Sequence, residues 1–144
     1  MLRVVPDTNV FVSSLLVKAG LPAQMLEAWR ERQYLLVTSP SIIAEIRVTL
    51  HYPRIRRKYA IADPDVEQLV TLLERDALLV PGNAHVTGAV PTDPADEKVL
   101  ACAVEAGADL IVSGDRHLLA LDTYRPIPIL TVRQFLERLH QEAT

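Results

Sequence analysis

Gly107-Ala108-Asp109-Leu110-Ile111-Val112-Ser113-Gly114-Asp115 holds the end of one element, the whole of a second and the start of a third. Gly107 sits where a helix closes, because glycine takes the left-handed C-cap conformation without a Cβ penalty. Asp109 to Val112 reads as a short central strand. Gly114 then allows a sharp turn, and Asp115 stands at the strand's carboxyl end with the Ser113 hydroxyl beside it. Open α/β sheets bind their ligands at that edge.

The same arrangement recurs at the other end of the chain. Leu2 to Val5 is a short apolar strand, Asp7 follows it, and Phe11 to Val17 reads as the next helix. Pro22 opens a second helix with Met25, Leu26 and Trp29 on one side, either as core or as an apolar face for a partner. Tyr34 to Val37 is a strand. Ser39-Pro40 is a helix start, serine as N-cap and proline at the first helical position, and that helix runs to about His51, where Pro53 interrupts. Asp63-Pro64 opens a helix through Leu69, Leu72 and Leu73. A strand over Ala77 to Val80 ends at Pro81-Gly82, and Asn83 to Val90 has room for one more short strand. Thr92-Asp93-Pro94 begins the helix that Gly107 closes. A short helix around Leu118 to Leu121, a strand over Pro128 to Leu130 and a helix from Val132 complete the order. Strands separated by helices predict parallel pairing through right-handed crossovers. The expected fold is α/β, a three-layer α/β/α sandwich with a central parallel sheet, in one domain over residues 1–144.

Composition sets the outer bounds. With 144 residues, 49% hydrophobic and 23% charged, the chain can bury a full core. No apolar run approaches the roughly 20 residues that span a bilayer. The first residues lack the basic region, apolar stretch and cleavage site of a secretory signal, so a cytoplasmic location is expected. Cys102 is the only cysteine, which rules out an internal disulfide, and it lies in an apolar helical run as a small core residue. A net charge of −3 argues against a general duplex-DNA binder. One local basic cluster remains, Arg47, His51, Arg54, Arg56, Arg57 and Lys58, with Tyr52 and Tyr59 beside it. Phosphates attract such charges and single-stranded bases stack on tyrosine, so Arg54, Arg56, Arg57 and Lys58 are candidate RNA guides. The plainer alternative is a solvated helix end.

Five acids, with Asp93 beside them, form the candidate site. Asp7 and Asp115 each read equally well as helix caps or as ligands. Glu45 lies at the edge of the stripe Ile42, Ile43, Ile46 and Leu50 and not on the opposite face, so it reads equally well as a carboxylate reaching into a cleft or as a solvated boundary residue. Asp93, before Pro94, is mainly an N-cap. Asp96 projects among Val99, Leu100 and Ala103 on the core-facing side, where a carboxylate needs a counter-charge. Glu97 lies toward the edge of that face. Carboxylates that converge repel one another unless a cation is present. Hard oxygen ligands, without cysteine or spaced histidine pairs, select Mg²⁺ or Mn²⁺ over zinc. Such an ion activates water and steadies the charge on a breaking phosphodiester.

These residues resemble the PIN-domain family. Asp7-Thr8-Asn9-Val10-Phe11, then Ile42-Ile43-Ala44-Glu45-Ile46, then Asp93-Pro94-Ala95-Asp96-Glu97-Lys98-Val99-Leu100-Ala101, then Gly107 to Asp115 follow that family's order. The chain looks most like the bacterial and archaeal branch of toxin components in toxin-antitoxin systems, relatives of VapC toxins. The resemblance implies a Mg²⁺- or Mn²⁺-dependent ribonuclease with RNA as substrate, an antitoxin partner and a homodimer. It assigns Asp7, Glu45, Asp96 or Glu97, and Asp115 as active-site and metal-binding acids, supported by Thr8, Asn9 and Ser113. At the third motif relatives often carry an unbroken aspartate run where this chain has Ala95 and Glu97. Motif alignment favours Glu97 there, and the helical wheel favours Asp96. The reading from another class is a non-catalytic PIN-like module that holds RNA or a protein. A phosphoacceptor receiver domain fits less well, lacking adjacent acids after the first strand and a lysine after the last.

Overall fold

The computed structural model describes residues 1–86 and 94–142. Val4 and Val5 are fully buried, which places β1 (Arg3–Pro6) inside the sheet. It is flanked by β2 (Leu35–Thr38) and β4 (Leu110–Val112), in a sheet completed by β3 (Leu78–Leu79), β5 (Thr123–Tyr124) and β6 (Ile127–Leu130). The order is β3-β2-β1-β4-β6-β5. Strands β3, β2, β1, β4 and β6 pair in parallel, with Val4 opposite both Leu36 and Leu110 and Ile111 opposite Ile129. Their continuous apolar runs suit a sheet covered on both faces.

The strand order fixes where a ligand would sit. From β1 the chain steps to β2 and then to β3, but β3 returns across the sheet to β4 on the far side of β1. The direction of winding reverses between β1 and β4. A reversal of this kind opens a crevice at the carboxyl ends of the two strands, because their loops diverge to opposite faces. Right-handed crossovers place α1 (Thr8–Leu16), α2 (Leu21–Arg30), α3 (Pro40–Leu50), α4 (Pro53–Tyr59) and α5 (Asp63–Asp76) with one face, and α6 (Pro94–Ala106) and α7 (Arg116–Leu121) with the other. The closing helix α8 (Val132–Glu142) packs on α2 and β6. The three-layer α/β/α sandwich is the observed architecture.

Local chemistry explains the helix starts and stops. Ser39 Oγ accepts from Ile42 N at 3.3 Å, and Pro40 takes the first position of α3. Gly107, at φ +59°, closes α6, with Ala108 N donating to Ala103 O at 3.0 Å. Met25, Leu26 and Trp29 belong to the core and form no free apolar face. Cys102 is fully buried, and burial pushes its thiol up to about 12.

The structure departs from the sequence expectation in four places. Helix α1 begins three residues early, at Thr8 instead of Phe11, because Asp7 caps it. Pro53 starts α4 where it was read as an interruption, since the first helical position has no hydrogen bond for proline to lose. Strand β5 is antiparallel to β6, a two-residue edge added through a turn in which Arg125 takes φ +51°. The strand expected between Asn83 and Val90 is not formed at 83–86, and its remainder lies outside the described residues.

Candidate active site

Asp7 is the residue after β1, and it is 4% exposed. Its backbone N–H donates to Val112 O at 2.9 Å, continuing the β1–β4 ladder past Pro6, which has no N–H to give. The two carboxylate oxygens divide the work. Oδ1 accepts from Val10 N at 3.0 Å and caps α1, while Oδ2 accepts from the Ser113 hydroxyl. Burial pushes this carboxyl above the usual aspartate range; the Ser113 hydroxyl and Val10 amide pull it back, and the charge of Asp115 pushes it up again.

Ser113 is fully buried just beyond β4 and joins the two strand ends. Its Oγ donates to Asp7 and accepts from Asp115 N at 2.9 Å. Asp115 Oδ1 in turn accepts from His117 N at 2.7 Å and Leu118 N at 3.3 Å, capping α7. The capping half of the expectation is observed for both aspartates. Capping through one oxygen sets each rotamer, and Asp115 is near enough for its charge to act on Asp7.

The other acids come from helices. Glu45 is half-buried on α3, at the border of the buried residues Ile42, Ile43, Ile46 and Leu50. Its Oε2 accepts from Lys98 Nζ on α6 at 3.2 Å. Asp96, in the first turn of α6, is 7% exposed beside buried Val99 and Leu100, whereas Glu97 is half-buried. The helical wheel thus gave the inward side chain, and α6 packs on β1, β2 and β4. Thr8 is half-buried and Asn9 exposed in the first turn of α1, next to Asp7. Asp93 lies outside the described residues. The sequence reading missed Thr38, a fully buried residue at the end of β2 whose hydroxyl has no hydrogen-bond partner among the described residues. A small hydroxyl at a strand end, as at Ser113, was the available signal.

A hard divalent cation fits the kind of donors present. The buried Asp7 carboxyl, held neutral more readily by burial and by Asp115, is a group that such a cation would relieve. Among the described residues no three acidic, histidine or cysteine side chains gather as a ready metal cage. Asp7 and Asp115 supply a pair, and Glu45 turns to Lys98. Two concavities elsewhere, about 540 Å³ around Met1, Trp29 and Arg32 and about 890 Å³ between α2 and α5, are lined by none of these acids. The site is an open edge of the sheet.

The basic cluster requires a correction. Arg56 was read as an RNA guide, but its guanidinium is half-buried and committed. It donates to Leu50 O at 2.7 Å and Ile61 O at 3.3 Å and pairs with Asp63 at 2.7 Å, fastening α4 between α3 and α5. Arg47 is likewise taken by Glu67 and Glu74. Arg54, Arg57 and Lys58 are exposed, with no carboxylate partner among the described residues. Lys58 lies 5.3 Å from the Tyr59 ring centre.

A doubly wound α/β domain with aspartates on both sides of its switch point is the class these observations define. The PIN domain family model matches residues 3–117. The chain belongs to the PIN-domain family, whose members are generally nucleases and generally use divalent metals. It is 32% identical over 120 residues to the uncharacterized protein MJ1680 of Methanocaldococcus jannaschii, covering 83% of this chain and 75% of that one. Its fold is similar to a chain of VapBC2 from Rickettsia felis, crystallised with a DNA fragment from their promoter. That likeness has a TM-score of 0.58 at 13% identity, over 89% of this chain and 96% of the other. No single helix among the described residues is long and apolar enough to cross a membrane.

Proposed function

We propose that this protein is a metal-dependent endoribonuclease that hydrolyses RNA phosphodiester bonds, and that it serves as the cytoplasmic toxin of a toxin-antitoxin pair. The observation that carries the reading is Asp7, a buried carboxylate fixed by Ser113 and Val10 and raised in pKa by burial and then by Asp115. In this reading Asp7 and Asp115 hold Mg²⁺ or Mn²⁺, with Glu45 from α3 and Asp96 from α6 as the further ligands and Glu97 beside them. The bound ion supplies an activated water and charge stabilisation at the phosphate. Ser113 keeps the Asp7 carboxylate in one orientation, and Thr8 and Asn9 line the first turn next to it. The fold shared with the VapBC2 chain supports the toxin assignment and an antitoxin partner; a second copy of the chain is the further partner in this reading.

Single-stranded RNA incubated with the protein and Mn²⁺ is expected to be cut, and EDTA is expected to stop the reaction. Undiminished cleavage in EDTA would sink the metal role. No cleavage with either ion would leave the non-catalytic PIN-like module as the better description.

Arg54, Arg57 and Lys58, with exposed Tyr52 and Tyr59, are the proposed RNA guide. Reversing charge in the double variant Arg54→Glu/Arg57→Glu is expected to raise KM roughly tenfold at low salt, an effect that shrinks as salt rises. Arg56 is left out because replacing it would unfasten α4. An unchanged KM at low salt would dismiss the guide.

A further inference from the structure

Lys98 meets Glu45 from across the carboxyl edge of the sheet. The two residues are far apart in sequence, one on α6 and the other on α3, and Nζ lies 3.2 Å from Oε2. Asp7 and Asp115 are held by neutral donors, a hydroxyl and backbone amides. Glu45 is met instead by a full positive charge. Both side chains are only partly covered, 46% of Lys98 and 24% of Glu45 being exposed. A partly solvated ion pair holds its members weakly. The lysine is also a point charge on a flexible four-carbon stem, so it can withdraw without disturbing α6.

We propose that Lys98 is the resident counter-ion of Glu45, a positioning residue that holds this carboxylate toward α6 and is displaced when a divalent cation takes its place. The inference rests on the metal-binding reading above. Ammonium and metal then compete for one carboxylate, and the competition acts through Glu45.

The test is Mn²⁺ binding to the full chain, read from the electron paramagnetic resonance signal of the free ion. Lys98→Met keeps the stem and removes the charge, and is expected to lower the Mn²⁺ concentration at half occupancy about three- to tenfold. Lys98→Arg is expected to restore the native midpoint. In a Glu45→Gln background, Lys98→Met is expected to change nothing, because its target is gone. Thermal melting provides a second reading. The metal-free Lys98→Met protein should melt slightly below the native one, and saturating Mn²⁺ should erase the difference. A native midpoint unchanged or raised by Lys98→Met, or lowered equally in the Glu45→Gln background, overturns the exchange and leaves the metal site standing. No Mn²⁺ binding by the native chain overturns both.

Discussion

Asp7→Asn is expected to abolish RNA cleavage and at the same time to raise the melting temperature. The two effects have one cause. The folded protein binds the Asp7 proton more tightly than the unfolded chain does, because burial, and then Asp115, raise this carboxyl from the usual 3.8. A raised carboxyl contributes stability below its unfolded pKa and loses it as pH rises through the folded value. At neutral pH the charged form is therefore a burden on the fold. Asparagine keeps an oxygen for the Val10 amide and removes the charge. Cleavage with Mn²⁺ should fall about a thousandfold or more, since in the proposed function this carboxylate holds the ion and a neutral amide cannot take its place. The melting temperature at pH 7 should rise by roughly a few degrees, the size that follows from about 1 kcal/mol in a domain of this length. The gain should shrink as pH falls toward 4. Cleavage and melting measured in parallel from pH 4 to 8 read both. A variant that cuts as fast as the native protein denies Asp7 its role, and one that melts lower at pH 7 denies that the charge is a cost.

Where the sequence was legible, the chain carries local punctuation. Ser39-Pro40 announces α3 and Gly107 closes α6, because caps are decided by neighbouring backbone groups. Asp96 could be oriented from its own helix, since period and apolar neighbours fix a face without tertiary knowledge. What stayed hidden depends on the strand order. The reversal between β1 and β4 that brings the Asp7 and Asp115 strand ends together is written near neither residue, and the two are grouped only through their shared place at strand ends and the family's motif order. Arg56 and Arg57 look alike in a basic run, yet only Arg56 reaches the carbonyls of Leu50 and Ile61. Lys98 sits inside the third acidic motif, and its partner is on a helix that follows a different strand. Strand β5 is too short to show a pattern, and its turn lacks glycine.

Phe135→Ala is expected to act in the opposite direction, through the fold alone. The family model ends at residue 117, but the folded unit does not. Strand β6 supplies the parallel partner of β4, and Ser113 N donates to Leu130 O at 2.9 Å, so the serine that fixes Asp7 is itself seated by this later segment. Helix α8 holds β6 from outside. Its Phe135 is fully buried, with its ring 4.9 Å from that of Tyr34 in an edge-to-face contact at 88°. Tyr34 passes the constraint on, donating its hydroxyl to Met25 O at 2.7 Å in α2. Removing the ring leaves a cavity where α8, α2 and β2 meet, a change that costs about 3–5 kcal/mol. Against a total stability of roughly 5–15 kcal/mol, that is a large share. The melting temperature should fall by roughly 10–20 °C. Phe135→Leu, which refills most of the space, should lose much less. Cleavage per folded molecule should survive at low temperature in Phe135→Ala and fail on warming, whereas Asp7→Asn should be inactive at every temperature while melting later. A drop of only a degree or two in Phe135→Ala would make α8 an appendage, and the Ser113–Asp7 geometry would then owe nothing to the residues beyond 117.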